Sequence, residues 1–384
     1  MRILIISRGF PTEKYSLNGI FEYDQAKALA QAGNEVIFVA IDVRSIRRWR
    51  KWGFVNLDKD GVHIEALNIP CGRVPKYILN KFREIALRRL YTKIVKKYGK
   101  PDIIHSHFIG VGYTAAKVFS DKGIPLVHTE HYSGMNQVEL TNYYHKLGRF
   151  TYKKMTKIIA VSEYLKNNII DKFGVEPTIV PNIVDLNKFN YEITKKDEAK
   201  FNFISVGNLS KNKRMDLLVN AFSNAFQNET NINLFIYGEG PERKKLEDLI
   251  DELKLTNQVF LMGLKDRKII AKKMQESHCF VLASKLETFG VVYIEAMATG
   301  LPVIATKCGG PEDFVNRDNG ILISVNNQRQ LSMAMQDMKN NIGIYNNEKI
   351  SSEIRMKYSP ESVASQLTDI YLELLNKKQS EVNQ

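Results

Sequence analysis

The sequence predicts two open, doubly wound α/β domains, each built on a parallel sheet, facing across a cleft. Three observations lead there. Short, continuous apolar runs recur with amphipathic segments between them, as strands buried on both faces of a parallel sheet require. The rhythm halts at Pro181-Asn182 and then begins again. The 384 residues are too many for one ordinary core and suit two domains of about 150–200 residues each.

In the first half the strand-like runs are 2–7, 35–41, 63–68, 102–107, 125–129, 157–161 and 178–180. A helix fits 21–32, with Gly33 placed to cap its C-terminus. The second half offers runs at 203–206, 234–237, 259–262, 279–283, 302–306 and 321–324, with helical patterns at 215–226 and 243–253. The expected division is therefore 1–182, 183–358, and a C-terminal helix in 359–384 able to pack back on the first domain. The tail from Lys377 reads as disordered. Ligands in such sheets gather beyond the carboxyl ends of the strands, which makes an inter-domain cleft the default site.

Composition excludes several classes. At 44% hydrophobic and 25% charged residues, the chain is an ordinary globular protein rather than a disordered or fibrous one. Cys71, Cys279 and Cys308 have no close spacing, which argues against a disulfide framework or a cysteine zinc site and fits a reducing compartment. The apolar run after Met1 is too short for a signal-peptide core, and no stretch approaches the roughly 20 apolar residues of a membrane span. The expected location is the cytoplasm, peripheral on the inner face of the cell membrane. The net charge of +13 falls wholly within residues 1–182, which carry 29 Lys and Arg against 16 Asp and Glu. A large basic face attracts acidic partners.

The chemistry concentrates in the second half. After the run at 279–283 comes Ser284-Lys285-Leu286-Glu287-Thr288-Phe289-Gly290-Val291, and a helix fits from about Val291 to Thr299, capped by Gly300. Gly290 permits close backbone approach, and the free N–H groups at the helix start favour an anion. Glu287 on the loop and Glu295 inside the helix bracket that N-terminus, placed to accept hydrogen bonds from sugar and ribose hydroxyls. A helix-dipole carboxylate and a solvated glutamate are the plainer reading of the same pair. Gly207-Asn208-Leu209-Ser210-Lys211-Asn212-Lys213-Arg214 also follows a strand and opens a helix, with Lys213 able to hold a diphosphate. Gly238-Glu239-Gly240-Pro241 and Gly309-Gly310-Pro311-Glu312 are further strand-end turns.

Together these segments resemble the retaining glycosyltransferase family 4, whose members have the two-Rossmann GT-B fold. The likeness is densest in 207–213, 238–241 and 287–312, and it thins in the first domain to Gly19, His105-Ser106-His107 and His131. The resemblance implies that Glu295 binds the nucleotide ribose and that Glu287 grips hydroxyls of the donor sugar. Phe289, Gly290 and Val291 match the turn whose amides meet sugar and phosphate, and Lys213 matches the diphosphate lysine. The family usually has arginine where Asn208 stands, so either Lys211 or Arg214 compensates for the missing charge or the diphosphate is bound more weakly. Gly19 matches the loop that approaches the donor phosphate, although it is one glycine short of the usual pair. His131, at a strand end, resembles the active-site histidine; His105 and His107 are secondary candidates. The site so expected comprises His131 and Glu287 as catalytic groups, with Gly19, Asn208, Lys213, Arg214, Glu239, Phe289, Gly290, Val291 and Glu295 on the donor. No metal and no cofactor are expected, the donor, most simply a UDP-sugar, being itself a substrate.

The basic face suggests where the acceptor resides. Arg44, Arg47, Arg48, Arg50 and Lys51 interleave with Trp49, Trp52 and Phe54, and residues 76–100 carry nine basic residues against Glu84 alone. Leu79, Phe82, Ala86, Leu90 and Ile94 recur at helical spacing, so a basic amphipathic helix for an anionic membrane surface is expected. A core-packed helix with a solvated back is the plainer alternative. Nucleic acid fits less well, since no nucleic-acid module accompanies the charge. A glycan or lipid-linked envelope precursor is the expected acceptor. The competing functions are a same-fold epimerase or phosphorylase, and a catalytically silent partner subunit.

Overall fold

A computed structural model describes residues 1–15, 18–45, 52–71, 74–194, 196–197 and 199–382. The chain forms two compact units, Met1–Ile183 with Pro360–Gln384, and Val184–Ser359.

The first unit runs β1 (Arg2–Ser7), α1 (Ile20–Gln31), β2 (Glu35–Ser45), β3 (Gly53–Lys59) and β4 (Val62–Cys71). It continues with α2 (Lys76–Tyr98), β5 (Ile103–His107), α3 (Ile109–Phe119), β6 (Leu126–Glu130) and α4 (Asn142–Lys154). β7 (Lys157–Ala160), α5 (Glu163–Phe173) and β8 (Thr178–Ile179) complete the run. The sheet order is β3-β4-β2-β1-β5-β6-β7-β8, parallel except for β3 against β4. Alternation along β1 sends its residues to two cores. Ile3 and Ile5 meet α1, whereas Leu4 and Ile6 join Leu87, Leu90 and Ile94 of α2.

β3 was not among the expected strands. It lies at the sheet edge, and its residues alternate between more and less exposed positions. It therefore lacks the continuous apolar run that marks a strand buried on both faces.

The second unit contains β9 (Phe201–Val206), α6 (Met215–Phe226), β10 (Ile232–Tyr237), α7 (Arg243–Glu252), β11 (Val259–Gly263) and α8 (Arg267–Gln275). β12 (Cys279–Leu282), α9 (Val291–Ala298), β13 (Val303–Thr306), β14 (Gly320–Ile323), α10 (Gln328–Asn340) and α11 (Asn347–Tyr358) follow. All six expected strands form one parallel sheet, ordered β11-β10-β9-β12-β13-β14.

The last helix, α12 (Pro360–Val382), belongs to the first unit. Val363, Ala364, Leu367, Ile370 and Tyr371 form its buried stripe and enter the α1 side of the core. Disorder was expected from Lys377, but the helix continues to Val382. No proline or glycine interrupts it after Pro360, so it propagates past its last core contact.

Helix α2 corrects another expectation. Leu90 is 1% exposed and packs on the sheet with Ala86, Leu87 and Ile94, so it does not face lipid. Phe82 does remain exposed, as do Tyr77 and Ile85. Arg47, Arg48, Trp49, Arg50 and Lys51 lie outside the described residues, as does the side chain of Arg44, whereas Trp52 and Phe54 are exposed. All three cysteines are buried. Among the described residues no helix is long and apolar enough to cross a membrane.

Candidate active site

In the second unit the strand ends bring the expected carboxylates to cations. Lys213, in the loop after β9, places Nζ 2.5 Å from Glu287 Oε1, and the Ser284 hydroxyl donates to the same oxygen at 2.6 Å. Glu287 is fixed by its backbone as well. Its N–H donates to Cys308 O at 2.9 Å, and its carbonyl accepts from Gly310 N–H at 3.1 Å. Gly310 is needed there, because a Cβ would lie 2.1 Å from Phe289 O.

Gly290 precedes α9 with φ +91, in the left-handed region that favours glycine. The Phe289 ring is buried against Phe314 and Tyr358, so this residue can meet a ligand only through its backbone. Val291 opens the helix, whose first N–H groups lack intrahelical partners. Within α9, Glu295 is ion-paired with Arg267 at the start of α8. Arg267 also lies 5.3 Å from the centre of the Phe189 ring. Sequence reasoning missed Arg267, which carries no motif and meets Glu295 only through the fold.

The other expected residues are arranged differently. Gly238, at φ +142, lets its turn press on Gly207, where a Cβ would lie 1.9 Å from the carbonyl oxygen. Gly240 fits against Leu209 and Asn208 in the same way. Asn208 is exposed at this junction. Glu239 bonds Arg243 at 2.7 Å rather than Lys213. Arg214 binds Asp216 at 3.1 Å and also reaches Asn326. With Lys211 it lines a cavity of about 360 Å³, whose lining includes neither Lys213 nor Glu287.

The first unit gathers different chemistry. Gly19, φ +71, caps α1 so close to the chain after β1 that a Cβ would sit 2.1 Å from Gly9 O. Beside it Ser7 donates to the buried Glu22 at 3.2 Å, and Arg8 pairs with Glu22 at 3.5 Å. The Arg8 guanidinium lies over the Phe108 ring at 3.4 Å.

His131 is buried, with Nε2 3.1 Å from Nδ1 of His107 and the two rings stacked. His107 stacks in turn on His105, which bonds Tyr371 of α12 at 2.6 Å and Thr129 at 2.7 Å. Burial, followed by the nearby positive charge of Arg8, holds His131 well below its ordinary pKa. Burial does the same for His107 and lowers His105 to about 3. These rings are therefore neutral, and in the His107–His131 contact one ring donates and the other accepts. His131 Nδ1 has no hydrogen-bond partner among the described residues.

Glu130 anchors this loop. Its Oε1 accepts from the N–H groups of Ile109 at 3.3 Å, His131 at 3.0 Å and Tyr132 at 2.9 Å. Oε2 accepts from the Tyr152 hydroxyl at 2.9 Å and lies 3.3 Å from His128 Nε2. Burial alone would raise the Glu130 pKa, but the bonds from His128, Tyr132 and Tyr152 outweigh it and hold the carboxyl down.

Comparison with known proteins identifies the family. Residues 187–353 match the family described as glycosyl transferases group 1, and residues 21–188 match glycosyltransferase family 4. An uncharacterised glycosyltransferase of Methanocaldococcus jannaschii is 30% identical over 81% of this chain and 86% of its own. The chain belongs to glycosyltransferase family 4. Another member of the family, the alpha-monoglucosyldiacylglycerol synthase of Acholeplasma laidlawii, is 27% identical over 83% of this chain and 86% of its own. Among solved structures, Anabaena HepE in complex with UDP and glucose matches with a TM-score of 0.70 and 17% identity. That match covers 97% of this chain and all of HepE. This family 4 chain is accordingly a glycosyltransferase with the GT-B fold, made of two parallel-sheet α/β domains.

Proposed function

We propose that this enzyme is a retaining, metal-independent hexosyltransferase that uses a UDP-sugar and glycosylates a glycan or lipid-linked acceptor. The observation that carries the reading is the meeting of Glu287 with Lys213 and Glu295 with Arg267 at the strand ends of one sheet. The first pair suits a sugar hydroxyl beside a diphosphate, and the second suits a ribose. The acceptor oxygen bonds to the anomeric carbon while the bond from that carbon to the diphosphate breaks. The acceptor proton leaves with the diphosphate. Lys213 and the α9 amides stabilise the departing charge, a task for which no metal is then required. HepE, seen with UDP, supports the choice of base, and the α-linkage in the name of the Acholeplasma relative's product supports retention. Screening the purified protein for hydrolysis of a nucleotide-sugar panel tests the reading, and turnover of no member would defeat it.

The diacylglycerol-based name of the same relative supports an acceptor at a membrane. The outward side of α2 carries Arg88, Arg89, Lys93 and Lys96, with Trp52, Phe54, Tyr77, Phe82 and Ile85 exposed in the same unit. We take this to dock the enzyme on the anionic inner face of the cell membrane, each cation adding about 1 kcal/mol in a salt-sensitive way. Wild type should co-sediment with anionic vesicles at low salt, and a variant with Arg88, Arg89, Lys93 and Lys96 changed to glutamate should not. Equal sedimentation of the two would end the docking reading.

A further inference from the structure

The tyrosines beside His131 form a cluster that donor binding does not use. Tyr132, the next residue in the chain, packs against Tyr144 of α4 with ring centres 4.5 Å apart and the planes tilted by 35°. Tyr144 meets Tyr143 edge-on at 5.1 Å. Lys76, the first residue of α2, lies over both rings, its Nζ 4.8 Å from the centre of Tyr144 and 5.3 Å from that of Tyr143. It also donates to the Tyr144 hydroxyl at 3.5 Å. One turn later, Asn80 donates to the Tyr143 hydroxyl at 2.7 Å and accepts from Arg83 at 3.0 Å. A band of alternating aromatic and basic groups thus begins one residue from His131.

Two features of this band go against stability alone. Arg83 Nε is buried with no hydrogen-bond partner among the described residues. Burial lowers the pKa of that guanidinium, and Asp42 on β2 is the carboxylate that acts on it. Lys76, for its part, opens a helix with no acidic residue in its first turn. A cation there opposes the positive end of the helix dipole. An incompletely compensated buried charge and a cation at the wrong helix end both gain from an arriving anion. The neighbouring tyrosines offer flat, amphipathic rings on which the apolar face of a sugar or glycerol unit can rest.

We propose that Lys76 and Arg83, with the Tyr132–Tyr144 platform, form the acceptor subsite, and that the acceptor carries a phosphate ester close to the hydroxyl that is glycosylated. The proposal rests on the glycosyl-transfer reading above. The phosphate ester is supplied either by a lipid headgroup or by a soluble sugar or polyol phosphate; both present anionic, non-bridging phosphate oxygens to Lys76 and Arg83.

The test uses the full chain saturated with UDP, so that the donor phosphate site is filled, and sn-glycerol 3-phosphate as the probe, with glycerol as its neutral match. Saturation-transfer NMR should detect glycerol 3-phosphate and not glycerol. Lys76→Gln, at an exposed position that leaves the core intact, should weaken binding roughly tenfold, as loss of a charge-assisted contact does. Arg83→Gln should do at least as much. Vesicles containing phosphatidic acid should displace the probe if the ester is membrane-borne, and soluble hexose phosphates should do so if it is not. Equal binding of glycerol, or an unchanged affinity in both variants, overturns the proposal. UDP affinity, measured in every variant, keeps the two readings apart: its absence in wild type sinks the donor site, whereas its retention with no phosphate binding sinks only the acceptor subsite.

Discussion

In the second unit the candidate site consists of opposite charges already in contact, Lys213 with Glu287 and Arg267 with Glu295. The first unit presents instead three neutral, stacked imidazoles, with His131 Nδ1 buried and without a hydrogen-bond partner among the described residues. On the function proposed above, the difference follows from what each half would hold. A nucleotide diphosphate has fixed charges and hydroxyls, and preset ion pairs hold their own side chains in the geometry that such a ligand needs. A reacting sugar passes through changing charge, and a neutral imidazole shielded from water can offer a hydrogen bond without adding a full charge to a buried space.

The sharpest way to break this comparison is to remove the charged pairs. Glu287→Ala and Glu295→Ala should each reduce kcat/KM by about ten- to a hundredfold or more, since each loses charge-assisted hydrogen bonds to the donor. Circular dichroism should show the fold retained. Near-normal turnover in both would remove the donor-site assignment.

A finer cut separates Arg267 from Glu295. Arg267→Leu leaves the carboxylate in place but loosens its orientation, and UDP affinity should fall roughly tenfold. With 2′,3′-dideoxy-UDP, which lacks the hydroxyls that Glu295 would accept, wild type and variant should bind alike. An equal loss with both nucleotides would mean that Arg267 acts through folding rather than through Glu295.

Acid should distinguish the units. His105, His107 and His131 are held below their ordinary value of 6.5, with burial the largest cause. Once the pH falls below about 6.5 the unfolded chain binds protons that the folded chain refuses, so stability present above that pH is lost progressively on acidification. For His105 the loss continues to about pH 3. Glu130, depressed from 4.5, adds to the same trend at lower pH. In the second unit His278 is lowered to about 4, again mainly by burial. Tm should therefore drop by about 5 °C or more between pH 7.5 and 5, and hydrogen exchange should rise first around β5 and β6. Uniform loss across both sheets would contradict the contrast.

The smallest expected effect is none. Lys213 and the α9 amides are the proposed electrostatic partners of the leaving diphosphate, so excess EDTA should leave the rate within a factor of about two. Full inhibition reversed by a metal would show that the leaving group is neutralised by another route.

How much of this was legible in the sequence differs between the halves for a physical reason. The second sheet is buried on both faces, and its strands read as continuous apolar runs; Gly290 and Gly310 mark close backbone approaches that no other residue permits without displacement. Glu287 and Glu295 could be singled out because they flank that turn. The first half resisted where structure depends on contacts distant in sequence. The amphipathic pattern of α2 was visible, but its buried side could not be told from a lipid-facing one until the sheet covered Leu90. Arg267 meets Glu295 across 28 positions, and Tyr371 meets His105 across 266, so no local spacing announces either.

That last contact bears on how the protein is made. Residues Val184–Ser359 are inserted between two parts of the first unit, so they are all synthesised before α12. Domains tend to fold as units during translation. The second unit can therefore close while the first still lacks the helix that covers Ile3, Ile5 and Leu29 and brings Tyr371 to His105. Until that helix docks, a nascent chain displays an apolar sheet face and an unsealed imidazole stack. A segment translated after the whole second unit is thus the one that completes the first.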